Sequence, residues 1–207
     1  MSQEPSWLRV ARELSAMAQT GLTFTQDPYD RLRYERLREL SAEMLAQGSP
    51  ADYGIILESL RSETGYATPK VDVRGAAFRD DRVLLVREIT DGKWTLPGGW
   101  ADVNQTPSHC VVREIAEESG FEARALKLVA VHDFQTRNHV HHKDSIYKLM
   151  FICEIIGGAA QPSNETSEVG FFSLDNLPPL SVGRSTVAQI ELMFRHRDNP
   201  GLATEFD

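Results

Sequence analysis

Glu114, Glu117 and Glu118 stand at i, i+3 and i+4 of a segment with helical character, a spacing that brings three carboxylates onto one helix face. Thr106 supplies the N-cap, Pro107 the first helical residue and Gly120 the C′ stop, so a helix of about three to four turns is bounded at both ends. Val111, Val112, Ile115 and Ala116 fall on the opposite arc, the side that would face a core. Unscreened like charges at these spacings cost a few tenths of a kcal/mol per pair, roughly 0.2–0.5, so a compensating cation is expected. Hard oxygen ligands on a rigid face suit Mg²⁺, which takes one or two carboxylates and completes its shell with water and phosphate oxygens. Arg113, at the edge of the same face, can orient a glutamate by a charge-assisted hydrogen bond. Glutamate clusters on helices are usually solvated surface. Here the cluster follows a Trp94-Thr95-Leu96-Pro97-Gly98-Gly99-Trp100 turn and ends at a helix-stopping glycine.

With its flanks, this segment resembles the Nudix signature, G-x5-E-x7-R-E-U-x-E-E-x-G-U with U apolar. Gly99, Arg113, Glu114, Ile115, Glu117, Glu118, Gly120 and Phe121 fall on the pattern, and Gln105 stands where the first glutamate belongs. The resemblance implies a Nudix fold, a mixed sheet between helices, over residues 67–200. The N-terminal stretch, with Trp7-Leu8, the run from Ala18 to Leu22 and Tyr29 to Leu45, is similar to the helical extension of a bacterial subgroup described as ADP-ribose pyrophosphatase-like. That subgroup includes a CDP-choline pyrophosphatase.

The resemblance further implies hydrolysis of the pyrophosphate bond in a nucleoside diphosphate linked to another moiety, ADP-ribose or CDP-choline, releasing a nucleoside monophosphate. Glu114, Glu117 and Glu118 would bind Mg²⁺, with Mn²⁺ as a substitute, and Arg113 would hold the glutamates in position. Gly99, in the turn before the helix, would let backbone approach the metal and substrate closely. A later loop acid is expected as base or further ligand, and Glu165 is favoured over Glu168. Gln105 cannot supply charge, so activity is expected to be lowered and not abolished. Two other readings remain open here: a non-catalytic nucleotide sensor, which only Gln105 favours, and an enzyme acting on RNA ends.

Other polar residues carry weaker signals. Arg74 and Arg87, on early strands, are candidate phosphate contacts. His132, His139, His141 and His142 crowd one segment without helical spacing and read as a polar hairpin loop. Phe78, Trp94, Trp100 and Tyr147 have the shape to stack on a base, although core packing is the commoner use of such residues.

The elements that must position these residues follow from periodicity. Three helices are expected in the first 66 residues: one from Ser6 stopping at Gly21, one from Asp27-Pro28 to Gly48, and one starting at Ser49-Pro50 and ending before Gly65. Beyond Lys70, β-branched runs predict strands at 71–78, 83–87, 126–134, 145–156 and 169–173, with a closing helix at 185–196. The fold class expected is α+β, a small all-α domain at 1–66 followed by a mixed-sheet domain at 67–207. Sixty residues make a marginal independent core, so the helical part is expected to support a homodimer.

Composition sets the outer bounds. With 22 basic against 30 acidic residues the net charge is −8, which gives no electrostatic reason for binding along nucleic-acid backbones. An acidic protein that handles phosphates needs a cation between them. No apolar stretch approaches the ~20 residues of a membrane helix, no basic-then-apolar leader opens the chain, and neither cysteine sits in a metal-ligand or CxxC spacing. The expected compartment is the cytoplasm.

Overall fold

The computed structural model describes residues 4–137 and 142–207. The chain divides into two compact units, one formed by the chain up to Pro69 with the short segment closing at Ser145, the other by the remainder from Lys70 onward.

The first unit is helical. Helix α1 (Ser6–Phe24) runs past Gly21, where a stop was expected. A Cβ at Gly21 would lie 2.4 Å from the Tyr34 ring of α2 (Pro28–Gly48), so this glycine permits close helix packing and does not end the helix. Asp27 caps α2 with its carboxylate on the N–H groups of Tyr29 and Asp30. Helix α3 (Tyr53–Ser62) begins later than Ser49-Pro50 suggested, because Asp52 makes the cap, accepting from Gly54 and Ile55. Leu8, Ala11, Ala42, Leu45, Ile56, Leu57 and Leu60 form the core of this unit. Val10, Met17 and Tyr29 are exposed.

The second unit is a mixed sheet between two helices. Strands β1 (Lys70–Arg79) and β2 (Arg82–Glu88) form the expected hairpin. Asp80 and Asp81, both with positive φ, make its two-residue turn, the geometry that matches strand twist. Short β3 (Trp94–Thr95), helix α4 (Pro107–Ser119), β4 (Phe121–Asp133), a single helical turn α5 (Phe134–Arg137), β5 (Ile146–Gly158), β6 (Thr166–Phe172), helix α6 (Val187–Asp198) and β7 (Glu205–Phe206) follow. The sheet order is β3-β2-β1-β5-β4-β7, with β6 also paired to β2. β1 lies parallel to β5 and antiparallel to β2.

Alternation along the strands builds the two faces. Val73, Ala77 and Leu84 point towards Cys110, Val111 and Ile115 of α4. Ala76, Val83 and Leu85 point to the other side, towards Ile190, Met193 and Phe194 of α6. β4 begins at Phe121, five residues before the expected start, so the chain enters it directly after the Gly120 cap of α4. β7 and β3, two residues each, are too short to leave a periodic signal.

Candidate active site

Thr106 caps α4 by accepting from His109 N–H, and Gly120 adopts the left-handed conformation at its end, φ 75°. The three glutamates of this helix line a cleft of about 620 Å³. The cleft gathers Arg74 from β1, Glu88 from the end of β2, the Gly98-Gly99 turn, Arg113, Glu165 from the loop before β6, and Arg184 from the loop before α6.

The glutamates differ in environment. Glu117 is exposed, Glu114 is half-buried and Glu118 is buried, only 5% accessible. Burial pushes the Glu118 carboxyl up to about 8, with Glu114 and Glu88 adding to the rise, against the pull of Arg74 and the Gly98 N–H. That N–H donates to Glu118 Oε2 at 2.9 Å. Burial likewise raises Glu114 above the ordinary carboxylate value although Arg113 opposes it.

The Gly98-Gly99 turn presses against this helix. Gly98 has φ 142°, and a Cβ there would fall 2.0 Å from the Val73 carbonyl oxygen, so no other residue fits. A Cβ at Gly99 would sit 3.1 Å from Glu114 Oε2.

Arg113 donates from Nη1 to Glu117 Oε2 at 3.0 Å and from Nη2 to Glu114 Oε1 at 2.9 Å, holding two of the three glutamates at once. Its Nη2 also reaches Asp102 Oδ2 at 2.7 Å. Asp102, which sequence reading passed over, thus braces the arginine. Gln105 takes no part in this. Its Oε1 meets His109 Nδ1 at 3.0 Å in the first turn of α4, and the side chain does not line the cleft. The charge that Gln105 cannot supply reaches Arg113 from Asp102.

The loop acids separate clearly. Glu165 lines the cleft, whereas Glu168 pairs with Arg87 on the strand surface. The loop is held by Ser163 and Thr166: Glu165 N–H donates to Ser163 Oγ at 3.1 Å, and Thr166 Oγ1 donates to the Glu118 carbonyl at 2.6 Å. Ile89 N–H donates to the Glu165 carbonyl at 3.0 Å. The later acid is therefore tied to both the glutamate helix and β2.

Of the two strand arginines, Arg87 stands apart from the cleft, bound to Gly92 O and Glu168. Arg74 reaches it but is buried, with Nε and Nη2 on Asp72 and Nη1 on Leu96 O. Lys148 joins the same cluster, its Nζ 2.6 Å from Asp72 Oδ2. Burial draws the Lys148 ammonium down to about 8. Burial works to raise Asp72, but Arg74 and Lys148 outweigh it and its pKa is lowered. Glu88 and Arg184, both missed in the sequence, form an ion pair at 3.1 Å in the cleft wall. Neither lies in a motif: one ends a strand and the other sits in an irregular loop.

His132 proves to be a buried residue of β4 and not part of a loop, His142 lies beside Asp144, and His139 and His141 fall outside the described residues. Phe78 and Trp94 pack in the core against Phe194 and Phe172. Trp100, half exposed, lines the cleft.

The donor set fits a hard divalent cation in kind: carboxylate oxygens crowd one wall, and among the described residues no cationic side chain hydrogen-bonds to Glu118. Among the described residues no three acidic, histidine or cysteine side chains converge closely enough to enclose an ion. A cation there would complete its shell with water and substrate oxygens, the habit of Mg²⁺.

Comparison with known proteins agrees with the geometry. Residues 68–190 match the NUDIX domain, and residues 5–58 match a UDP-X-like, N-terminal oligomerisation domain. The Bacillus subtilis protein YjhB, proposed to be an ADP-ribose pyrophosphatase, is 42% identical over 99% of this chain and 98% of its own. A solved ADP-ribose pyrophosphatase from Streptococcus suis is 42% identical, covering 68% of this chain and 100% of that one, with a TM-score of 0.63. A solved UDP-X diphosphatase is 37% identical over 97% of this chain and 98% of that one, also with a TM-score of 0.63. The chain belongs to the Nudix family, as a pyrophosphohydrolase that carries the UDP-X-like N-terminal domain.

Proposed function

We propose that the cleft hydrolyses the pyrophosphate bond of a nucleoside diphosphate joined to another moiety, with Mg²⁺ as cofactor and Mn²⁺ as a working substitute. The observation that carries this reading is the gathering of Glu88, Glu114, Glu117, Glu118 and Glu165 around one cleft beside an arginine braced on three carboxylates. A bound divalent cation supplies neutralisation of the diphosphate charge and a more acidic water. Glu114, Glu117 and Glu118 hold it, and Arg113 fixes the first two. Glu165 takes the proton from the attacking water, being the loop acid that faces the cleft. Gly99 leaves room for substrate beside Glu114, and Arg74 contributes positive potential from beneath without reaching out.

The substrate is an ADP-ribose-like compound, which the two ADP-ribose relatives support; CDP-choline follows, and the UDP-X neighbour adds UDP-linked compounds. The intact glutamate set speaks against a purely sensing role. We take residues 1–66 as the helical domain and 67–207 as the catalytic one, and read the helical domain as the seat of a homodimer, which the oligomerisation domain supports. The cytoplasm is the assigned compartment, in keeping with two buried, unpaired thiols, Cys110 and Cys153.

The test is a panel of ADP-ribose, CDP-choline, UDP-sugars, dinucleoside polyphosphates and nucleoside triphosphates with Mg²⁺ or Mn²⁺, following release of nucleoside monophosphate. Release of AMP from ADP-ribose well above the other compounds is expected. Absence of turnover on every member would defeat the reading.

A further inference from the structure

We infer that Arg184 is the residue that binds the substrate's diphosphate, positioned for it by Glu88 and the loop around it; this rests on the reaction proposed above.

Three guanidinium groups line the cleft, and their partners sort them. Arg74 is spent, its side chain 7% accessible and its three nitrogens on Asp72 and Leu96 O. Arg113 is committed to Asp102, Glu114 and Glu117. Arg184 is the most open of the three, 33% accessible. Its Nε faces Glu88 at 3.1 Å and its Nη1 donates to Ser181 Oγ at 3.0 Å, with Asp91 3.5 Å away. Among the described residues its Nη2 donates only to a neutral hydroxyl, Thr90 Oγ1, at 3.1 Å. A guanidinium nitrogen of this kind carries a second N–H, so Nη2 keeps donor capacity for an anion. Planar forks of this sort match phosphate oxygens, and the held geometry reduces the entropy lost on binding.

The backbone beneath Arg184 is fixed as firmly as its side chain. Buried Lys148 donates to the Arg184 carbonyl at 2.6 Å while paired to Asp72. Ser185 Oγ accepts from Leu96 N–H at 3.2 Å and pairs with Thr95 Oγ1 at 2.9 Å. Ser181 N–H donates to Trp94 O at 2.8 Å. The loop comes from the α6 layer of the sheet, whereas the glutamates come from the α4 layer. The α4 layer thus supplies Glu114, Glu117 and Glu118 and the α6 layer a rigid guanidinium, an arrangement suited to a diphosphate held between a metal-binding face and a cation.

The experiment is calorimetry with inorganic pyrophosphate in the presence of Mg²⁺, on the full chain. Wild type should bind, and Arg184→Ala should bind about 10- to 100-fold more weakly, the loss of one charge-assisted contact. Arg184→Lys, which keeps charge without the fork, should fall between them. Thermal midpoints should fall by no more than a few degrees, the cost of leaving Glu88 without its ion pair, because the loop's backbone clamps are untouched; should the alanine variant fold poorly, Arg184→Gln gives the same comparison. Where ADP-ribose is turned over, KM should rise about tenfold with kcat changed less than threefold, the mark of a binding contact. Pyrophosphate affinity within twofold of wild type in the alanine or glutamine variant, no pyrophosphate binding by wild type, or a fall in kcat at unchanged KM would overturn the inference. Wild type that binds pyrophosphate but turns over nothing on the panel would instead sink the proposed reaction and leave Arg184 standing.

Discussion

Buried against Gly98 and flanked by Glu114 and Glu88, the Glu118 carboxyl keeps a proton up to about pH 8 when no cation is present. Because the folded value lies above that of an unfolded chain, the associated stability is complete below the ordinary carboxylate range and is lost as pH rises through about 8. The metal-free protein should therefore show a falling thermal midpoint between about pH 5 and 8, and Mg²⁺ should flatten the fall by displacing the proton. Calorimetry at pH 7 in buffers of different ionisation enthalpy checks this: proton release on Mg²⁺ binding is expected, and none would contradict it. Gln105 yields a second prediction. Since its side chain meets His109 and not the cleft, Gln105→Glu should leave turnover within about threefold of wild type and add about 0.3–1 kcal/mol at the helix N-terminus. A tenfold gain in turnover would show that the position acts on the site after all. The sequence pattern marked Gln105 as a weakness because it lists residue types; it does not record that Asp102, three positions earlier, already reaches Arg113.

Among the elements, α4 was the easiest to read in advance, since its cap, stop and carboxylate face are all local in sequence. What could not be read was which other elements meet it. Glu88 and Arg184 enter the cleft through the pairing of β2 with β6 and through the loop before α6, contacts separated by scores of residues. Arg74 and Arg87 looked alike as strand arginines, yet β1 lies at the centre of the sheet and buries one, while the other surfaces on β2 beside Glu168. Periodicity placed the strands but not their neighbours. The glycine turn between β3 and α4 is where element geometry and site meet. Gly98→Ala should destabilise the fold by about 3 kcal/mol or more, combining positive-φ strain with a clash on Val73 O, and the variant should lose the Glu118 contact. Chemical denaturation measures it; a loss under 1 kcal/mol would mean the turn can shift freely.

At the scale of the whole molecule, the helical unit leaves Phe24, Leu32, Ile55 and Tyr66 more than 60% exposed. A monomer rarely displays so many large apolar side chains on a unit this small, and the N-terminal oligomerisation match gives them a use. Light scattering at micromolar concentration should report twice the 23.2 kDa chain mass, and the pair Leu32→Asp and Ile55→Asp should shift it towards one chain. A wild-type mass of 23.2 kDa would contradict the homodimer. The two-part organisation was visible in the change from helical to alternating periodicity, whereas the surface that joins copies was not, because exposure depends on which face of each helix packs inward.

The buried glutamate of α4 is proposed to make the cleft a metal-dependent pyrophosphohydrolase, and ADP-ribose turnover by wild type and Glu118→Gln with Mg²⁺ decides the matter. AMP release that requires the cation, and falls by about 10³-fold or more in Glu118→Gln, is the predicted result. Wild-type turnover in Glu118→Gln, or equal turnover with the cation chelated, would contradict it.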